Sequence, residues 1–262
     1  MLKVGALVHV GQKDVKIDKF SGSDGLAFFY RVIEMSNNEP KEMYILKRIV
    51  TDDKLQKFNH PNVMKLYEWD SRDIPPQKQC VQQLYEDCIS TLLQEITQTA
   101  TNQRLPESEI IHITKDIACG LDYLHSLSPQ IIHLNTQANM ILHGKDGKYK
   151  LSAFWRSFEG KIEIDKLSDD ERKQISIQIG FNKVPFSKAP EVEEIEINQS
   201  FLSEDNNQLI IGKEIIDTKA DIFAFGFMRY RLCFFSSPFD KNGGDKDRDG
   251  EKRIIQLKDK YQ

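Results

Sequence analysis

The stretch Ile131-Ile132-His133-Leu134-Asn135-Thr136-Gln137-Ala138-Asn139-Met140-Ile141-Leu142 decides how this chain is read, together with Lys148-Tyr149-Lys150-Leu151-Ser152-Ala153-Phe154-Trp155 just downstream. Two short apolar runs, Ile131-Ile132 and Met140-Ile141-Leu142, bracket a polar loop. A turn over Gly144–Gly147 then leads into another short strand-like run.

Working outward, Pro106–Ser126 is the clearest helix signal, with apolar residues at 110, 111, 113, 117, 118, 121 and 124. Glu107 and Glu109 suit the positive end of its dipole. Ser90–Gln98 predicts a shorter amphipathic helix. Further upstream the period changes to that of strands. Val15–Phe20 alternates, Ala27–Met35 is rich in aromatic and β-branched residues, and Met43–Val50 alternates around Lys47. Residues 63–69 and 79–85 predict two more strands, joined by the turn-rich Asp70–Lys78. Ser21-Gly22-Ser23-Asp24-Gly25 reads on its own as a glycine turn.

The 262 residues suffice for one large domain or two lobes, each with its own core. With 36 Lys+Arg against 40 Asp+Glu, the net charge of -4 shows no basic excess, which argues against nucleic acid as a partner. Cys80, Cys88, Cys119 and Cys233 are widely spaced and form no C-x-x-C pair, so reduced thiols are expected rather than a disulfide frame or a zinc site. The N-terminus is only mildly apolar, is broken by His9 and Gln12-Lys13-Asp14, and lacks the form of a signal peptide. No run approaches the roughly 20 apolar residues that span a bilayer. A soluble cytoplasmic protein is the expectation, and the sequon Asn198-Gln199-Ser200 then carries no meaning.

The opening stretch resembles the catalytic and metal-binding loops of protein kinases, whose signatures are H-R-D-L-x-x-x-N and D-F-G. The frame matches without a gap, but the chemical letters differ. Asn135 stands at the catalytic Asp, Met140 at the metal-binding Asn and Ala153 at the metal-binding Asp, with Trp155 at the Gly of D-F-G. Gly120 through Asn135 runs like the kinase helix entering that loop. Gly147–Trp155 and Asp217–Gly226, continuing to Phe239, are most similar to the Numb-associated kinases, the group of the adaptor-associated and cyclin-G-associated kinases. Ala189-Pro190-Glu191 resembles the end of an activation segment. Asp221 matches the buried Asp that fixes the catalytic-loop backbone, and His133 matches a core-packing histidine.

Ser21–Gly25 followed by Lys47 looks like the Gly-rich loop and its lysine strand. Gly22 fills the first glycine position, Asp24 the second, Ala27 the third, and Phe29 the Val. A carboxylate at 24 repels phosphate, and Phe29 crowds the base pocket. The resemblance makes Lys47 the phosphate-contacting lysine; the bland reading is a solvated lysine on an edge strand. Only Arg48 to Asn59 separates Lys47 from His60-Pro61-Asn62-Val63, and Thr51–Phe58 contains no Glu to pair with it, so the usual helix is expected to be reduced or missing. Glu86-Asp87-Cys88 looks like the hinge against an adenine edge, with Tyr85 as gatekeeper.

The resemblance therefore implies an α+β, two-lobed kinase-like domain over residues 12–262. Its N-lobe is expected to be a small antiparallel sheet over 12–85, and its C-lobe over 86–262 to be mainly helical and truncated. Nucleotide contacts fall to Gly22, Gly25, Lys47, Glu86 and Cys88. No catalytic residue is assigned, Mg²⁺ is not expected, and ATP is expected weakly or not at all. A non-catalytic interaction module follows, docking a partner kinase or a trafficking adaptor through the C-lobe and the segment Arg156–Lys188. The alternative is a Ser/Thr kinase with residual activity through displaced carboxylates such as Asp146, Asp165 or Asp169. Glu193–Lys213 reads as a polar surface insertion. Asp245-Lys-Asp247-Arg-Asp249-Gly250 fits the start of a calcium loop, but Gln256 at its twelfth position favours a solvated linker.

Overall fold

The computed structural model describes residues 2–23, 27–37, 39–50, 58–74, 78–99, 105–168, 170–172, 175, 189–192, 215–234 and 238. Alternation builds its first half. Strands β1 (Leu7–Val10), β2 (Lys13–Ser23), β3 (Ala27–Ser36), β4 (Glu39–Val50), β5 (Leu66–Ile74) and β6 (Lys78–Glu86) form one antiparallel sheet in the order β1-β2-β3-β4-β6-β5. Successive side chains leave a strand on opposite faces. Val15 and Ile17 are accordingly buried with Lys16 exposed between them, and Tyr30 and Val32 bury while Phe28 stays out. With Val10, Tyr44, Leu46 and Leu84 these four residues form the core on one face of the sheet.

Two expectations are corrected here, and one strand is added. The N-terminus supplies a strand, β1, whose Val10 is fully buried. Ser21–Ser23 continues β2 instead of turning, with Gly22 opposite Phe29 at a register shift. Asp70–Ile74 is also strand, because every residue from Glu68 to Ile74 pairs with β6. The sheet curls enough for Gly11, after β1, to meet β5. Its φ of +59° is a glycine conformation, and a Cβ there would collide with the Glu68 side chain.

After β7 (Cys88–Thr91) the chain turns helical. Helix α1 (Leu92–Thr99) starts at a reciprocal cap, in which the Gln94 N–H donates to Thr91 Oγ1 (3.1 Å) and the Thr91 N–H to Gln94 Oε1 (2.9 Å). Helix α2 (Glu107–Ser126) buries Ile113, Ile117, Gly120, Leu121 and Leu124, as its 3.6 period requires. Next come β8 (Ile131–Ile132), β9 (Ile141–Gly144) and β10 (Tyr149–Leu151). They are followed by the two-residue strands β11 (Phe158–Glu159), β12 (Ile162–Glu163) and β13 (Ile215–Ile216), then α3 (Lys219–Phe234). β11 pairs with β8 and β12 with β13.

The chain forms two compact units, Met1–Ile89 with His143–Lys148, and Ser90–Leu142 with Tyr149–Gln262. The four cysteines are free thiols. Among the described residues no helix is long and apolar enough to cross a membrane. The expected stub at 51–57, the insertion 193–213 and the calcium-like loop 245–256 lie outside the described residues.

Candidate functional site

The second unit holds the loop that opened the sequence reading. Asp221, in the first turn of α3, is fully buried and its carboxylate organises that loop. It accepts the backbone N–H groups of His133 and Leu134, each at 2.7 Å, and contacts His125 Nε2 at 2.8 Å. Three donors on one carboxylate compensate its removal from water. The His133 ring is buried, donates from Nε2 to the Ser152 carbonyl (2.9 Å), and meets Phe154 edge-on at 5.0 Å. Burial pushes its pKa below the ordinary 6.5, which keeps the ring neutral.

Asn135 is buried, and its Nδ2 reaches the Ala153 carbonyl at 3.4 Å. Among the described residues its Oδ1 and the Oε1 of buried Gln137 have no hydrogen-bond partner. Met140 closes a 3₁₀ turn, and its carbonyl accepts both the N–H (3.1 Å) and the hydroxyl (2.7 Å) of Ser152. Ala153 stands next, at φ +68° and ψ +50°, and Leu134 has φ +54°. Both are left-handed conformations, which cost an L residue other than Gly, Asn or Asp roughly 1–2 kcal/mol. The loop backbone is thus fixed from three sides, with Asn135 buried and Met140 and Ala153 half-buried along it.

In the first unit, Lys47 lies in the middle of β4, an inner strand of the sheet. Phe29 stands opposite on β3 and Gln83 opposite on β6. Its side chain is only 8% exposed, so the solvated-edge reading is wrong. Phe29 packs on the small cluster of Ala27, Ile49 and Val81, on the face away from Tyr30 and Leu46. Tyr85 shares Lys47's face two residues from Gln83, to whose Oε1 it donates at 3.2 Å. Glu86 ends β6; its N–H donates to the Lys65 carbonyl (3.2 Å) and its carboxylate accepts the Lys65 N–H (2.7 Å). Cys88 begins β7, half-buried. Gly22 sits in β2 at φ +143° with open space around its α-carbon. Gly25 and Asp24 lie outside the described residues.

The profile of the protein tyrosine and serine/threonine kinase family matches residues 32–178. The chain belongs to this family. It is similar to the actin-regulating kinase PRK1 of Saccharomyces cerevisiae, at 27% identity over 91% of this chain and 29% of that protein. The serine/threonine-protein kinase ppk30 of Schizosaccharomyces pombe is 25% identical over 92% of this chain and 25% of its own length. Integrin-linked protein kinase 1 of Arabidopsis thaliana is 27% identical over 68% of this chain and 31% of its own. The kinase-like chain therefore spans about a quarter to three tenths of the length of these relatives.

A kinase needs oxygen ligands for its metal ions and a carboxylate to take the substrate proton. Met140 and Ala153 offer no side-chain oxygen, so the residues present do not fit Mg²⁺ at those positions. Asn135 keeps a hydrogen-bonding oxygen but not a basic one. Of the displaced carboxylates, Asp146 accepts the Lys148 N–H (3.2 Å) in the β9–β10 turn. Asp165 is exposed in a 3₁₀ turn, and Asp169 is outside the described residues.

Sequence reasoning missed two buried polar groups beside the loop. Asp116, on the apolar face of α2, accepts the Tyr149 N–H at 2.8 Å. The Tyr149 hydroxyl lies 2.8 Å from Glu95 and 2.7 Å from Glu109, linking α1, α2 and β10; burial and these carboxylates push its pKa up. The signal was available. Asp116 falls within the repeat of Ile113, Ile117 and Gly120, where a carboxylate must find donors.

Proposed function

We propose that this kinase-family chain is a pseudokinase, most like the Numb-associated group, that works as a cytoplasmic interaction module. The observation that carries the reading is the combination at one loop. Asp221, His133 and Ser152 hold its backbone in place, while the three positions that do chemistry carry Asn135, Met140 and Ala153. Phosphoryl transfer is mostly positioning and charge neutralisation, so loss of the metal ligands removes its largest contribution. Loss of the base removes a further factor of about 10²–10⁴.

Gly22, Gly25, Lys47, Glu86 and Cys88 remain the positions for a nucleotide bound weakly and without Mg²⁺. The names of two matched yeast kinases, both called actin-regulating, support a partner from the actin machinery; a partner kinase or a trafficking adaptor rests on the Numb-associated resemblance alone.

Purified chain with labelled ATP and a generic protein substrate is expected to transfer no more phosphate than its Lys47→Ala variant. ATP is expected to shift the melting midpoint equally with and without Mg²⁺. Transfer that disappears in Lys47→Ala, or a magnesium-dependent shift of several degrees, would restore the reading of an active kinase.

A further inference from the structure

We propose that the outer edge of β5 pairs with the same edge of a second copy, giving a two-fold dimer centred on Ser71. β5 ends the six-stranded sheet, with β6 on one side only. Its first residues lie beside the end of β1, where Gly11 packs on Glu68. From Trp69 to Ile74 no other strand flanks it among the described residues. Every second residue of such a strand turns its N–H and C=O away from the sheet. Trp69 is 41% exposed on this stretch, and aromatic residues of that kind are enriched at interfaces.

Charge selects the register. Like charges directly opposite each other destabilise an antiparallel pair, and opposite charges stabilise it. Opposed residues of an antiparallel pair share a face, so a symmetric register is centred on a residue, and two such registers pair five of the six residues Trp69–Ile74. Centred on Arg72, the two arginines face each other. Centred on Ser71, Asp70 faces Arg72 of the second copy and Arg72 faces its Asp70.

Mixed charge on an exposed edge normally discourages pairing; here it favours one of the two long registers over the other. A slip of one residue would also exchange the faces of the strand. Within one chain Arg72 Nε reaches Asp70 Oδ2 only at 3.4 Å, with the arginine side chain 59% exposed, so the guanidinium is available to a neighbour. A contact of this size belongs with weak, reversible interfaces.

Sedimentation velocity on the full chain, from low to high micromolar concentration, tests the pairing. The average mass of the wild type is expected to rise towards twice that of one chain. Asp70→Arg and Arg72→Asp are each expected to raise the dissociation constant at least about tenfold. The double variant D70R/R72D recreates the same opposed pairs and is expected to dimerise like the wild type. Circular dichroism checks that the variants fold, which substitution at an exposed edge permits. A wild type that stays monomeric throughout overturns the proposal. So does a dimer indifferent to both single changes, or a double variant that does not recover.

Discussion

Ala153 shows at the scale of one residue how the loop is built. Its left-handed backbone is one that Asp or Asn tolerates through local hydrogen bonding and that alanine adopts at a cost. The conformation survives because Ser152, just before it, is tied to His133 and Met140. His133 is the part of that tie that titrates. Its pKa is depressed by burial, so the folded chain binds its proton less readily than the unfolded chain does. The stability it contributes is complete above the ordinary value of 6.5 and is lost as pH falls from there towards the folded value. Chemical denaturation at a series of pH values from 7.5 downward checks this. His133→Phe is expected to cost about 1–3 kcal/mol near neutrality, from the lost hydrogen bond to Ser152. It is also expected to flatten the decline below 6.5, and equal slopes in the two proteins would refute the assignment.

At the scale of the element, the strands and helices follow their hydrophobic periods, and the exceptions have identifiable causes. β2, β3 and β4 appear where alternation places them, because one face of each has a core to meet. Helix α2 appears over Glu107–Ser126, within a residue of the apolar repeat that predicts it. β1 is too short to show a period, and only Val10 among its residues is buried. It adds Val10 to the core cluster that holds Val15, Ile17 and Tyr30, with Val8 packed partly buried against it. Val10→Ala removes two buried methyl groups and is expected to lower unfolding free energy by about 2 kcal/mol. Leu7→Ala, at a site 68% exposed, is expected to change it by less than about 0.5 kcal/mol in the same urea titration. Comparable losses at both sites would show that β1 contributes by its backbone pairing instead.

Across the whole molecule, the first unit supplies a lysine buried on an inner strand and the second a loop held by a buried carboxylate. If the proposed loss of activity rests on three side chains, returning them on the same backbone returns metal affinity. The variant combining Asn135→Asp, Met140→Asn and Ala153→Asp is expected to show a magnesium-dependent rise in melting midpoint with ATP that the wild type lacks. A folded triple variant indifferent to magnesium would place the loss elsewhere, for instance at Phe29.

The amino-acid sequence by itself determined the kinase family and the α+β order of strands before helices. It also determined which residues, Asn135, Met140 and Ala153, stand at the positions that resemble the kinase base and metal ligands, because these are read in one continuous frame. The resemblance already marked Asp221 as the carboxylate that fixes the loop, and the structure shows it bonded to the loop from 87 and 88 residues away; only the tertiary structure decided that Lys47 lies on an inner strand and that β1 completes a core. Burial and long-range hydrogen bonds are properties of which segments meet, and no local pattern in Ile131–Leu142 encodes its partner on α3.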